Sequence, residues 1–226
     1  MAHISRRNPL ALMVLATLWE QPTHPYQLVQ TLKGRQKDKS ARLNYGSLYS
    51  VIANLEKAGL IEVVEVTKSG NLPPRTTYKV TEYGITELTD WLSTLIANPE
   101  PEIPHFMTAL SILPALSPEE AVRLMRQRVD KLKLTLDQMA TERERSRTII
   151  PELLSIESQY LEALTRAEYD FTNQLIDDIL TEKLGGVSVW RAIQARLVDG
   201  HIDYDAVSAA LADEGYSFAS LAMPAD

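Results

Sequence analysis

Between Leu43 and Ile61 the chain sets out short hydrogen-bonding and cationic side chains at helical spacing. Tyr45, Ser47, Ser50, Asn54 and Lys57 fall on one side, while Leu48, Val51, Ile52 and Leu55 recur at three- and four-residue steps on the other. Hydroxyl, amide and ammonium groups on the open face of a helix suit base edges and phosphates in a DNA major groove. They suit an ordinary solvated helix equally, so the context decides. Asn44 is the expected N-cap, and Gly59 stands where a left-handed residue ends a helix. Catalytic patterns are missing. The four histidines, His3, His24, His105 and His201, are scattered, and no HExxH, GxSxG, P-loop or GxGxxG occurs. The carboxylate pairs Asp177-Asp178 and Glu119-Glu120 sit on a helix surface and at a helix start, where solvation and dipole compensation account for them. No enzyme activity, cofactor or metal is expected.

The elements around this helix give the context. Ile61 to Thr67 and Arg75 to Val80 read as strands, joined by the Gly-, Asn- and Pro-rich loop from Lys68 to Pro74. A helix followed by a hairpin with Lys68, Arg75 and Lys79 about its tip is the layout of a winged helix-turn-helix, whose wing lies along the phosphate backbone. Two shorter helices precede it. Pro9 to Trp19 is mostly apolar. Tyr26 to Lys33 buries Leu28, Val29 and Leu32, with Thr23 or Pro25 expected to begin it and Gly34 to end it.

These residues resemble PadR-type transcriptional regulators. The resemblance lies in His24-Pro25-Tyr26-Gln27-Leu28, in Tyr45-Gly46-Ser47-Leu48-Tyr49, in Leu55-Glu56-Lys57-Ala58-Gly59-Leu60-Ile61, and in Arg75-Thr76-Thr77-Tyr78-Lys79-Val80-Thr81-Glu82-Tyr83-Gly84. The four motifs occur in order over about a third of the chain. Pro25 departs from the pattern, where the family usually has Gly, but proline is tolerated in a first helical turn. The resemblance implies repression by occlusion of polymerase, with Tyr26 and Tyr49 approaching DNA. On the residues alone, Tyr49 reaches phosphate or packs on Tyr26. The resemblance also implies a C-terminal helical pair that dimerises. It further implies a small aromatic or amphipathic effector between the wing domain and that pair. Trp91, Phe106, Tyr160, Tyr169 and Trp190, with His105 and Arg166, are the candidates to line its pocket. Core packing is the alternative for each aromatic.

Charge divides the chain. The net charge is −7, yet residues 1–98 carry 11 Lys+Arg against 8 Asp+Glu, a balance of +3, and residues 99–226 carry 12 against 22, a balance of −10. Lys33, Arg35, Lys37, Lys39 and Arg42 cluster just before the proposed recognition helix, where phosphate neutralisation needs cations. The expected DNA contacts are thus Tyr26, Lys39, Arg42, Asn44, Tyr45, Ser47, Tyr49, Ser50, Asn54, Lys57, Lys68 and Arg75. A dimer would space two recognition helices about one DNA turn, roughly 34 Å, apart on a near-palindromic operator. Cysteine is absent, which excludes disulfides and thiolate chemistry and agrees with a reducing cytoplasm. The apolar run from Leu10 to Leu18 is too short to span a bilayer and lacks a cleavage signal.

Beyond the wing the chain reads as helical. Thr81 to Ala97 should bury Ile85, Leu88, Leu92, Leu95 and Ile96, with Trp91 flanking. Prolines 99, 101 and 104 mark a boundary. After a short helix from His105 to Leu113, Ser117, Pro118, Glu119 and Glu120 open a long helix to Ser146. Its seam is Val122, Met125, Val129, Leu132, Leu136 and Met139. A second helix, Pro151 to Leu184, should oppose it through Leu153, Ile156, Tyr160, Ala163, Ala167 and Phe171. The apolar stripes, widened by Leu124, Leu134, Leu154, Leu161 and Leu164, exceed what one helical pair can cover, so a homodimer is expected. Val187 to Val198 and Asp203 to Glu214 read as further helices about an Asp199-Gly200 turn. The expected fold is mainly α with a small β-hairpin wing. It comprises a winged helix-turn-helix DNA-binding domain (1–98), a C-terminal antiparallel helical dimerisation domain (99–184) and a helical tail (185–226). The alternative is a protein-interaction module whose winged domain binds protein; the charge split and the basic cluster argue against it.

Overall fold

The chain's first core grows around a helix that is apolar on nearly every side. The computed structural model describes residues 8–35, 37, 45–68, 75–99, 101–195, 197–198, 201–202, 204–213 and 215. They fall into two units, Met1–Glu102 and Ile103–Asp226. In the first, α1 (Pro9–Glu20) starts at Asn8, whose Oδ1 accepts the Leu10 N–H at 3.1 Å. It buries Leu10, Ala11, Val14, Leu15 and Leu18. Helix α2 (Pro25–Gly34) adds Leu28, Val29 and Leu32, as the sequence predicts. Pro25 begins it, one of the two expected starts, and the cap is His24. His24 Nδ1 accepts the Gln27 N–H at 3.2 Å, with Pro25 in the first turn. Thr23 instead forms a two-way β-bridge with Tyr78, at 3.0 and 2.9 Å.

Helix α3 (Tyr45–Lys57) buries Leu48, Val51, Ile52 and Leu55. It closes as a Schellman motif. Gly59 adopts φ +73°, its N–H reaching the Glu56 carbonyl at 2.9 Å and the Leu60 N–H reaching Leu55 at 3.0 Å. Strands β1 (Ile61–Thr67) and β2 (Arg75–Val80) pair antiparallel from Ile61–Val80 to Thr67–Arg75, with an irregularity between Val63 and Glu65.

Helix α4 (Glu82–Ala97) begins at Thr81, whose Oγ1 accepts the Gly84 N–H at 3.0 Å. Its inward face is not the predicted one. Gly84 and Trp91 are buried and Leu88 is half-buried, whereas Ile85, Leu92, Leu95 and Ile96 are exposed. The reason is local. A Cβ at Gly84 would stand 2.0 Å from the Leu60 carbonyl oxygen, so the helix lies with its glycine pressed on that backbone. The stripe 84–88–91 then faces inward.

In the second unit, α5 (His105–Ser111) and a 3-10 turn at Leu113–Ala115 lead to α6 (Pro118–Ser146). Ser117 Oγ accepts the Glu120 N–H at 3.2 Å. A 3-10 turn at Glu152–Ser155 precedes α7 (Ile156–Leu180), which is therefore shorter at both ends than predicted. It stops before Gly185 because Glu182 takes a left-handed φ of 56°, a conformation no sequence signal marks for glutamate. Helix α8 (Val187–Ala195) also ends early. Leu197–Val198 and His201–Ile202 pair as strands β3 and β4 before α9 (Tyr204–Asp213).

The α6 seam matches its periodicity: Val122, Met125 and Leu136 are buried, and Val129, Leu132 and Met139 half-buried. The α7 seam does not. Leu153, Ile156, Tyr160, Ala163, Ala167 and Phe171 are all exposed in the single chain, while Thr172, Ile176 and Ile179 are buried. Ion pairs explain the offset. Glu168 binds Arg128, and Glu162 binds Arg143 at 2.8 Å, so polar residues occupy the side of α7 that meets α6. The buried apolar contact is concentrated at the C-terminal end of α7, where Ile176 and Ile179 join Ala121, Val122, Met125 and Trp190.

Candidate nucleic-acid interface

Helix α3 separates its two chemistries cleanly. Opposite the buried leucine, valine and isoleucine side, Tyr49, Ser50, Asn54 and Lys57 are exposed and Ser47 is half-exposed. Ser50 turns its hydroxyl back onto the Gly46 carbonyl at 3.0 Å, a bond a base or phosphate must compete with. Tyr49 is 57% exposed, and Tyr26 on α2 is 59% exposed. Tyr26 pairs with the His24 ring (centroids 6.4 Å apart, planes inclined 26°), so its aromatic neighbour is the helix cap, not Tyr49. Tyr49 lies instead near Tyr78. Burial raises the Tyr78 phenol above its usual range, and the nearby Glu56 and Tyr49 add to that. Lys39, Arg42 and Asn44 lie outside the described residues, as does the side chain of Tyr45.

The cations divide into two kinds. Arg35 is held by both carboxylate oxygens of Glu20 at 2.6 Å, a bidentate fork. This contact raises the arginine's pKa and lowers that of Glu20. On the wing, Lys79 pairs with Glu62 across the strands at 2.9 Å. Lys57, Lys68 and Arg75 are exposed and make no ion pair among the described residues. Among the described residues, the ion pairs thus hold Arg35 and Lys79, while Lys57 at the end of α3 and Lys68 and Arg75 on the wing have none.

The fold explains what the motif residues do. Thr81 Oγ1 donates to the Gly59 carbonyl at 2.7 Å while capping α4, and the Thr81 N–H binds the Leu60 carbonyl at 3.0 Å. The Gly59-Leu60 turn, Thr81 and Gly84 are therefore one joint between α3, β2 and α4. Tyr78 fastens β2 to Thr23 ahead of α2. The sequence offered no sign of that bridge, since its partners are 55 positions apart.

The model of the transcriptional regulator PadR-like family matches residues 14–90. Residues 14–90 are a PadR-like domain. None of the curated proteins matches the chain. Among solved structures, Bacillus subtilis PadR in complex with operator DNA is 19% identical, covering 75% of this chain and 98% of its own at a TM-score of 0.60. The same protein in complex with p-coumaric acid is 17% identical over 74% and 96% at 0.61. A PadR-like transcriptional regulator from Bacillus cereus is 14% identical over 76% and 99% at 0.56. At these identities the likeness is one of fold. The PadR-like domain carries the exposed α3 side chains and the wing, and its family is one of transcriptional regulators.

The residues predicted to line an effector pocket are divided between the two units. Trp91 belongs to the core of the PadR-like domain, where its Nε1 has no partner among the described residues. In the second unit, Trp190 is buried and its Nε1 donates to the Leu116 carbonyl at 2.7 Å. Phe106 lies under the Arg128 guanidinium at 3.9 Å, and Tyr169 faces Arg166 at 5.9 Å. Tyr160 is 66% exposed. His105 is exposed at the start of α5. An open depression of about 430 Å³ is lined by Arg143, Glu152, Gln159, Glu162, Ala163 and Arg166, and so touches one of these candidates, Arg166.

Proposed function

We propose that this chain is a sequence-specific DNA-binding transcriptional regulator, a ligand-responsive repressor that binds a near-palindromic operator as a homodimer. The observation that carries the reading is the two-sided α3 of the PadR-like domain. One side is buried, and the other presents Tyr49, Ser50, Asn54 and Lys57, while the wing carries Lys68 and Arg75, which make no ion pair among the described residues. Asn54 and Ser50, with Ser47 and Tyr45, reach bases or adjacent phosphates; Lys57, Lys68, Arg75, Lys39 and Arg42 hold phosphates. Tyr26, Tyr49 and Asn44 complete the contact. Bacillus subtilis PadR bound to operator DNA shares this fold and supports the assignment.

Dimerisation follows from the apolar stripe along the Glu152–Ser155 turn and α7. Leu153, Ile156, Tyr160, Leu164 and Phe171 are each at least half exposed in the single chain, a continuous surface that a second copy covers. The p-coumaric acid complex of a protein with this fold supports a small aromatic effector, with Trp91, Phe106, Tyr160, Tyr169 and Trp190 as candidate contacts. The regulator acts in the cytoplasm and catalyses nothing. No helix among the described residues is long and apolar enough to cross a membrane. A gel shift with the DNA upstream of its own gene tests the reading. Binding should occur and should be lost with Arg42→Ala plus Asn54→Ala. Binding retained at full strength by that variant would overturn the assignment of α3.

A further inference from the structure

Helix α5 contains no buried residue, yet it is fastened at both ends, and the two fastenings differ in kind. At its start the Phe106 ring lies beneath the Arg128 guanidinium, 3.9 Å from carbon to centroid. The same guanidinium is bonded through Nε to Glu168 of α7 at 2.6 Å. Both charged side chains remain partly in water, 39% and 31% exposed. At its far end the chain enters the 3-10 turn Leu113–Ala115. There Leu113 packs on the apolar cluster of Val122, Met125, Ile179 and Trp190. Trp190 donates to the Leu116 carbonyl at 2.7 Å, and Gln194 to the Pro114 carbonyl at 2.5 Å.

A partly solvated ion pair and cation–π contact is weak. A buried indole with its N–H satisfied is strong. When the attachment of α5 loosens, the Phe106 end therefore lets go first. We infer that α5 is a hinged arm, pivoting on the turn that α8 grips and latched shut by Arg128 on Phe106. Glu168 is the positioning residue that holds the guanidinium over the ring. The arm continues backward into Pro104 and Pro101, a stiff extended link toward the first unit. This goes beyond the DNA-binding reading and does not depend on it.

Hydrogen exchange on the full-length protein without DNA tests the arm. Arg128→Ala should speed exchange of the Thr108–Ser111 amides about two- to fivefold, the factor expected for losing one exposed cation–π contact. Amides from Val122 to Leu136 and from Thr172 to Ile179 should keep their wild-type rates. Arg128→Lys, which keeps the charge without the flat stacking group, should fall between. Trp190→Phe should loosen Ala115 and Leu116 and leave Thr108–Ser111 alone. If Arg128→Ala does not fold, Glu168→Gln should give the same selective rise. Unchanged α5 exchange, or an equal rise throughout α6 and α7, overturns the hinge.

Discussion

The division of cations into tied and untied groups sets how operator affinity should respond to salt. Lys68 and Arg75, at the two ends of the wing strands, make no ion pair among the described residues, whereas Lys79 is held by Glu62 and Arg35 by Glu20. Each phosphate contact contributes about 0.9 to the slope of log affinity against log salt. In a dimer one substitution removes two contacts. Lys68→Ala or Arg75→Ala should therefore flatten the slope by about 1.8, and the pair by about 3.6. Between 50 and 200 mM salt, each single variant should then lose roughly tenfold less affinity than the wild type loses. Arg35→Ala and Lys79→Ala should change the slope by well under about 1, because each cation is already matched by a carboxylate. Fluorescence anisotropy of a labelled operator duplex, titrated across a KCl series, reads all six slopes, wild type included. Equal slopes for the wing-tip variants and wild type, or an equal flattening by the tied pair, would refute the partition.

Other consequences follow from the packing. Gly84→Ala places a methyl group 2.0 Å from the Leu60 carbonyl oxygen and should cost about 3 kcal/mol or prevent folding of the PadR-like domain, read by thermal and urea denaturation. Thr81→Val removes the α4 cap and the bond to Gly59 and should cost about 1–2 kcal/mol by the same assay, with a null effect counting against the joint. Tyr160→Glu with Leu164→Glu should convert the dimer to a folded monomer in sedimentation equilibrium; a dimer of unchanged strength would move the interface elsewhere. The Glu20 pKa is lowered by Arg35, so its contribution is present above the ordinary carboxylate range and lost as pH falls through the lowered value. With both side chains over 40% exposed, it amounts to less than about 1 kcal/mol, measured as the difference between wild type and Glu20→Gln in acid unfolding.

What could be read from the chain was whatever depends on neighbours in sequence. The α3 face, its Gly59 stop, the Ser117 start of α6 and both wing strands are local periodicities and caps, and they stand where the residues place them. What could not be read depends on distant backbone. The inward face of α4 is chosen by the Leu60 carbonyl, not by hydrophobicity, so the more apolar stripe of Ile85, Leu92 and Ile96 faces out. The pairing of α7 is likewise set by Arg128 and Arg143, whose carboxylate partners Glu168 and Glu162 take the side of α7 that meets α6. Of the candidate site, Tyr49, Ser50, Asn54 and Lys57 are legible because they oppose a buried stripe. The loss of Arg35 and Lys79 to ion pairs was hidden, because Glu20 lies 15 residues from Arg35 and Glu62 lies across a hairpin from Lys79.

The misplaced α7 stripe and the motif residues lead to the same conclusion about where specificity resides. Gly59, Thr81, Gly84 and Tyr78 are among the most recognisable letters of the PadR-like pattern, and each is occupied in holding elements together. They fix where α3 sits but carry no information about which DNA it reads. The exposed positions on α3 can change without disturbing a single core contact, since Asn54 and Lys57 face water. The outward stripe on α7 has similar freedom in the single chain, where Tyr160 is 66% and Phe171 52% exposed. A fold fixed by backbone joints and partly exposed ion pairs thus leaves two outward surfaces, one polar and one apolar, to diverge separately. Exchanging the α3 surface residues for those of another PadR-like chain should therefore change operator choice while the oligomeric state stays as it was.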